Sequence, residues 1–396
     1  MLGDGARPVS TKKNPQKIPT IPKKIRTFAN AIKKRYQQRN VISHTTYIRR
    51  CFQLAQKGKS FVKPNPMVGA VIVHNNTIIG EGYHRKIGEA HAEANAIGAV
   101  RDEALLSEST LYVSLEPCSH HGKTPPCADL IVAKKIPRVV VAATDPNPKV
   151  SGKGIQIMRE HGIDVTVGVL ENEARELNKM FFFNQIHRRP YIILKWAQSS
   201  DGFIDKERSL LQEQAPACLS NDITAVLSHK LRTEVQAILV GTRTALLDNP
   251  QLTARKWFGE NPVRVVIDRE NKLPSSLAIF DNSAPTIVFT AVQPENLPKN
   301  NSITYISINV EQNFVEQIAQ HLFHRGIYSL LVEGGTKTLS SFIENGLWNE
   351  AFVEISDDLF FSGIKAPDIQ AKTKKITPIL NANQIRLESE ITRNFT

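Results

Sequence analysis

His91-Ala92-Glu93, followed by Glu116-Pro117-Cys118-Ser119-His120-His121-Gly122-Lys123-Thr124-Pro125-Pro126-Cys127, decides how this chain reads. These residues hold one imidazole, two thiols and a carboxylate two positions from the imidazole. A catalytic zinc ion takes three protein ligands of such types and keeps a fourth position for water. The metal brings that water's pKa down to about 7, so hydroxide is at hand near neutrality. His91, Cys118 and Cys127 are the candidate ligands, and Glu93 is the candidate general acid and base. Positions i and i+2 do not share a helix face. At a first helical turn, however, both side chains reach one pocket, and 94–100 is helix-compatible. The plainer alternative makes Cys118 and Cys127 small buried apolar groups and His91 a structural histidine. The order of the elements, with a proline before the first cysteine, weighs against it.

A His-x-Glu with a later Pro-Cys and a second Cys is the pattern of zinc-dependent base deaminases. There the hydroxide attacks the ring carbon bearing the amine, and the carboxylate carries a proton to the departing ammonia. The eight residues between Cys118 and Cys127 exceed the usual two.

With 396 residues, 41% of them hydrophobic, the chain is long enough for two cores. It has no apolar run of about 18 residues, so no membrane span is expected. Four cysteines in such a length do not make a disulfide framework, and a reducing, cytoplasmic setting is the default. The formal charge of +12 suggests nucleic acid until its placement is read. Residues 1–40 carry eleven Lys or Arg against Asp4, a balance of +10, which leaves only +2 for the rest. The body is therefore nearly neutral. Residues 1–44, basic and proline-bearing, are expected to be a disordered extension or to follow a translation start set too far upstream. An organelle-targeting segment and a nucleic-acid arm are the alternatives.

Strand and helix patterns alternate from Thr45 onward. A helix is expected through Tyr47, Cys51, Leu54 and Ala55, and strands at 70–73 and 77–82 about an Asn75-Asn76 turn. The helix after His91 comes next, then strands at 111–115, 139–143 and 165–169 and helices at 128–133, 155–161 and 171–184. Residues 187–190 read as a linker. A second run follows, with strands at 191–197, 237–240, 263–267, 286–289 and 329–332 and helices at 223–231, 315–325 and 339–345. The pattern is α/β throughout, and no internal repeat is visible.

The first run closely resembles the bifunctional deaminase–reductase family of riboflavin biosynthesis. The residues that carry the likeness are the two quoted stretches, Asn65-Pro66-Met67-Val68-Gly69 and Asp145-Pro146-Asn147-Pro148. It extends over about 45–396. It implies a cytidine-deaminase-like three-layer α/β/α domain at 45–186 and a dihydrofolate-reductase-like α/β domain at 187–396. It further implies one Zn2+ per chain, NADPH, and a small pyrimidine ribosyl phosphate as substrate. The amine at pyrimidine C2 would be hydrolysed, and the ribosyl group would then be reduced to ribityl. Asn65, His120, His121 and Lys123 are implied deaminase contacts; Asn65 suits the ribose or base and is otherwise a turn residue between two prolines, while the other three suit a phosphate or a pyrimidine edge and are otherwise at home in a plain polar loop. His84 is a further candidate beside a plain loop histidine. A homo-oligomer is expected, and no nucleic acid or membrane partner.

No Gly-x-Gly-x-x-Gly follows a strand, so the Rossmann mode of cofactor binding is not expected. Instead Gly334 and Gly335 follow a strand and open a helix, whose free N–H groups suit a cofactor phosphate. The resemblance makes Arg232, Leu252, Arg255 and Glu333 substrate contacts. It makes Lys195, Ala197, Thr244 and Asp248 cofactor contacts beside the two glycines. The family's Trp-Ile-Thr-like run is replaced here by Pro216-Ala217-Cys218-Leu219-Ser220-Asn221, and a weaker hold on NADPH is the expectation. The rival readings are a deaminase with a degenerate reductase, a nucleic-acid editing deaminase, and a zinc-stabilised binding protein without activity.

Overall fold

The computed structural model describes residues 44–119, 125–147, 150–208, 215–294 and 302–393. The basic extension up to residue 43 lies outside them, as do His120, His121, Lys123 and Pro148.

The first half begins with α1 (44–55), β1 (Gly69–His74) and β2 (Thr77–Tyr83). Asn75 and Asn76 join the strands with φ of +48° and +61°, the left-handed pair that a two-residue hairpin turn requires and asparagine tolerates. Then come α2 (Ala92–Gly98), β3 (Thr110–Val113), α3 (Cys127–Ala133), β4 (Arg138–Val141), α4 (Lys153–Glu160), β5 (Asp164–Val167), α5 (Glu171–Leu177) and α6 (Lys179–His187). The sheet order is β2-β1-β3-β4-β5; β1 is antiparallel to both neighbours, and β3, β4 and β5 are parallel. Ala70 and Ile72 of β1 join one apolar cluster with Ala96 of α2, Ile131 of α3 and Met158 of α4. Val71 and Val73 join another with Ile48 and Cys51 of α1 and Phe182 of α6. A sheet buried on both faces is the three-layer arrangement.

The second half contains β6 (Tyr191–Gln198), β7 (Phe203–Asp205), α7 (Asp222–Glu234), β8 (Ala237–Gly241), α8 (Thr242–Asp248), β9 (Val263–Ile267), β10 (Thr286–Thr290) and β11 (Ile303–Ser307). It continues with α9 (Phe314–His324), β12 (Ser329–Gly334), α10 (Thr336–Glu344), β13 (Glu350–Ser356), β14 (Ile364–Lys365), β15 (Lys372–Ile379) and β16 (Ala382–Glu388). Nine strands form one sheet in the order β11-β10-β9-β8-β12-β6-β13-β16-β15. It is parallel from β11 to β13, and β16 and β15 close it antiparallel.

Several expectations are corrected. The helix expected over 171–184 is two, broken at Asn178. The Asn178 amide is spent elsewhere: Oδ1 accepts from Met67 N and Nδ2 donates to Met67 O, both at 2.8 Å. It thereby pins the loop that carries Asn65. The linker begins one residue later than expected, because His187 still belongs to α6. Residues 242–248, which hold the expected cofactor contacts Thr244 and Asp248, are α8, and the antiparallel β13–β16–β15 edge was not anticipated.

Helix α6 serves both halves. Phe182 lies in the first domain's core, while Phe183 lies in a cluster with Tyr191, Ile193 and Ile238 of the large sheet. On the same helix Lys179 pairs with Glu350, a side chain 2% exposed that Arg386 also grips. Burial alone would raise the Glu350 carboxyl, but the two cations hold it below the ordinary value. No helix among the described residues is long and apolar enough to cross a membrane.

Candidate active sites

The deaminase-type centre is assembled where two helices begin. His91 is the N-cap of α2, and Glu93 sits in that helix's first turn. Cys127 is the first residue of α3, and Cys118 lies in the loop after β3. The possible ligand atoms of His91, Cys118 and Cys127 lie within 4.8 Å of one another. The His91 Nδ1 is 3.5 Å from each sulfur. Glycine makes this packing possible: a Cβ on Gly82 of β2 would stand 2.4 Å from Ala92 O and 2.3 Å from Ala96 N. Helix α2 therefore rests directly on β2.

Glu93 is 2% exposed, and its Oε2 has no hydrogen-bond partner among the described residues. A buried, unpartnered carboxylate oxygen costs free energy unless a ligand meets it. Burial first, and the neighbouring Cys118 second, push the Glu93 carboxyl up to about 7, where an acid–base group works near neutral pH. The hydrogen bond from Cys127 draws the Cys118 thiol down, and Cys127 is raised in return. One nitrogen and two sulfurs at this spacing fit Zn2+, which would take both sulfurs as thiolates.

Supporting groups were only partly legible. Glu116 is buried, and its two oxygens accept backbone N–H groups from Asp145, Gly152, Gly154 and Ile155 at 3.0–3.4 Å. It locks the Cys118 loop to the start of α4. Its place in Glu116-Pro117-Cys118 was the signal, although sequence reasoning assigned it no task. Asn65 is exposed, and its Nδ2 lies 3.4 Å from His84 Nε2. The buried His84 ring meets His91 edge-on, with centroids 5.4 Å apart.

The reductase-type site lies at the carboxyl ends of the parallel strands, where open α/β sheets bind ligands. Arg232 of α7 makes a two-pronged pair with Glu333 of β12, at 3.1 and 2.7 Å, and donates to Thr253 O at 3.0 Å. Burial would raise Glu333, but Arg232 overrides it and holds the carboxyl low, with Lys195 adding to the effect. His229, on the same helix face, is drawn down to about 4 by burial and by Arg232 and Arg255. Arg255 is exposed and has no ion-pair partner among the described residues. Ala197 lies opposite Glu354 of β13. Gly334 ends β12, and Gly335 caps α10 with no side chain bonded to the helix start. A Cβ on Gly335 would approach Thr244 Oγ1 to 3.2 Å, so those two sites converge.

Two expected contacts are otherwise engaged. Leu252 turns its side chain into the core beside Ile238 and Val266 with φ of +55°, leaving only backbone for a ligand. Asp248 pairs with the buried Arg208, which also holds Asp205. The unusual 216–221 segment is well seated. Leu219 is buried, Asn221 caps α7 through Thr224 N, and Ser220 and Thr224 both donate to the buried Glu354.

Comparison with known proteins agrees with this division. Residues 42–143 match the family model described as the cytidine and deoxycytidylate deaminase zinc-binding region, and residues 190–356 match the RibD C-terminal domain. The riboflavin biosynthesis protein RibD of Aquifex aeolicus is 41% identical over 326 residues, covering 82% of this chain and 89% of that protein. Its namesake from Bacillus amyloliquefaciens is 36% identical over 350 residues, covering 86% and 92%. The crystal structure of a diaminohydroxyphosphoribosylaminopyrimidine deaminase/5-amino-6-(5-phosphoribosylamino)uracil reductase from Thermotoga maritima superimposes with a TM-score of 0.79 at 35% identity. It covers 88% of this chain and 99% of its own.

Proposed function

The chain belongs to the RibD family, the bifunctional deaminase–reductases of riboflavin biosynthesis, and from that premise we propose how its own residues divide the work. Residues 45–186 carry the deamination of 2,5-diamino-6-ribosylamino-4(3H)-pyrimidinone 5′-phosphate, and residues 187–396 the reduction of its ribosyl group. The observation that carries the first assignment is the buried Glu93 carboxylate, whose Oε2 has no hydrogen-bond partner among the described residues, beside three zinc-type ligand atoms.

His91, Cys118 and Cys127 hold one zinc ion, which when bound supplies a Lewis acid that acidifies water. Glu93 accepts a proton from the attacking water and returns it to the C2 amine, which departs as ammonia. Asn65 orients the ribosyl pyrimidine, and His120, His121 and Lys123 offer it further donors. Glu116 keeps the Cys118 loop in place throughout.

In the second domain Arg232 and Arg255 bind the 5′-phosphate, a ligand whose oxygens suit guanidinium. Glu333 fixes Arg232 in position and touches substrate beside Leu252. Gly334 and Gly335 offer the start of α10 to a cofactor phosphate, with Lys195, Ala197, Thr244 and Asp248 around it. NADPH, when bound, supplies the hydride that reduces C1′ of the opened sugar.

The deciding experiment follows ammonia release and NADPH oxidation separately with the pyrimidine phosphate. Glu93→Gln should retain zinc and lose ammonia release. Normal turnover in that variant would reject the assignment.

A further inference from the structure

Lys63 starts in the deaminase domain and ends in the reductase. Its Nζ donates to Thr233 O at 2.5 Å and to Val235 O at 2.9 Å. Those carbonyls lie at the C-terminal end of α7, where four carbonyls lack helical partners and the helix dipole is negative. The neighbourhood reinforces the contact. Ser60 Oγ lies 3.2 Å from Thr233 Oγ1, and Lys59 pairs with Glu234 at 2.9 Å. Gly259, at φ +138°, approaches so closely that an added Cβ would stand 2.8 Å from Thr233 Cβ and 3.3 Å from Ser60 Cβ.

Each end of this bridge leads to a site. Arg232 immediately precedes Thr233, and His229 lies one turn earlier on α7. In the other direction Asn65 follows Lys63 by two residues and leads through His84 to His91. A cavity of about 1140 Å³ runs along the seam, with Lys63 and Asn65 on one bank and Lys230 and Leu231 of α7 on the other.

We propose that Lys63 is a positioning residue for the reductase, holding the end of α7 so that Arg232 meets the substrate's phosphate. The proposal rests on the reading of Arg232 as a phosphate ligand. It makes a deaminase-domain side chain a determinant of the second reaction.

The test uses the full-length, zinc-loaded protein with the deaminated pyrimidine ribosyl phosphate and NADPH, and with the same substrate lacking its phosphate. Lys63→Met should raise KM for the phosphorylated substrate about tenfold while kcat changes by less than about twofold. It should leave kcat/KM for the dephosphorylated substrate unchanged, and Lys63→Arg should restore most of the loss. An unchanged KM, or an equal loss on both substrates, overturns the proposal. Arg232→Met separates the two ideas. If that variant discriminates against the phosphate and Lys63→Met does not, only the role of Lys63 falls. If Arg232→Met treats both substrates alike, the phosphate reading itself fails.

Discussion

In the deaminase half, three ligand atoms and one carboxylate converge from two helix starts and the loop after β3, within 37 residues of sequence, His91 to Cys127. In the reductase half, the candidate contacts run from Lys195 to Gly335 along the ends of several parallel strands and the helices that follow them. The first site is defined by unmet demand: a carboxylate oxygen without a partner and thiols facing an imidazole. The second is defined by groups already satisfied, Arg232 by Glu333 and Asp248 by Arg208. A metal demands particular donors at close quarters, so its site leaves a compact trace in the chain. A site for a dinucleotide and a sugar phosphate is made of backbone ends and long side chains, and its trace is diffuse.

If the two halves are chemically independent, Glu93→Gln should cut ammonia release by about 10²–10⁴-fold. NADPH oxidation of pre-deaminated substrate should stay at the parent rate. A parallel loss of both would break the contrast. Removing the metal with a chelator, or replacing Cys118 by Ser, should likewise abolish ammonia release and spare the hydride step, with zinc content measured alongside.

Arg232→Met should behave differently, because it strands the largely buried Glu333. Breaking such a pair costs about 3–5 kcal/mol, visible as a lower unfolding midpoint in denaturant beside the rise in reductase KM. Glu333→Gln in the same chain should recover much of that stability and none of the affinity. Ser220→Ala, which removes one donor from Glu354, should cost about 1 kcal/mol by the same measurement.

His229 gives the smallest and most local effect. Its folded pKa of about 4 lies below the ordinary 6.5, so the unfolded chain binds more protons between those values. Stability therefore falls as pH drops through that window. His229→Gln should flatten this part of the melting-temperature profile relative to the parent.

Sequence patterns anticipated the alternating strands well, because buried parallel strands are continuous apolar runs such as Ala237–Val240. The Asn75-Asn76 turn was equally legible. The C-terminal edge was not. β15 reads Lys-Thr-Lys-Lys-Ile-Thr-Pro-Ile, a mostly exposed strand whose lysines and proline protect a sheet edge and mask its strand character. The break at Asn178 escaped because its cause is a distant partner, the Met67 backbone. At the sites, residue types announced the proposed zinc ligands and Glu93. Arg232 and Thr244 were located only through family likeness, since each taken alone is an ordinary residue, whereas the glycine pair was visible as a strand-to-helix turn. Lys63 had no signal at all, because its partners are carbonyls 170 residues away.

Helix α6 carries a further implication. It lends Phe182 to one core, Phe183 to the other, and Lys179 to a carboxylate inside the second. Splitting the gene at the linker would thus bare an aromatic ring on one product and leave an acid with half its counter-charge on the other. We therefore expect the separated halves to be less soluble than the joined chain.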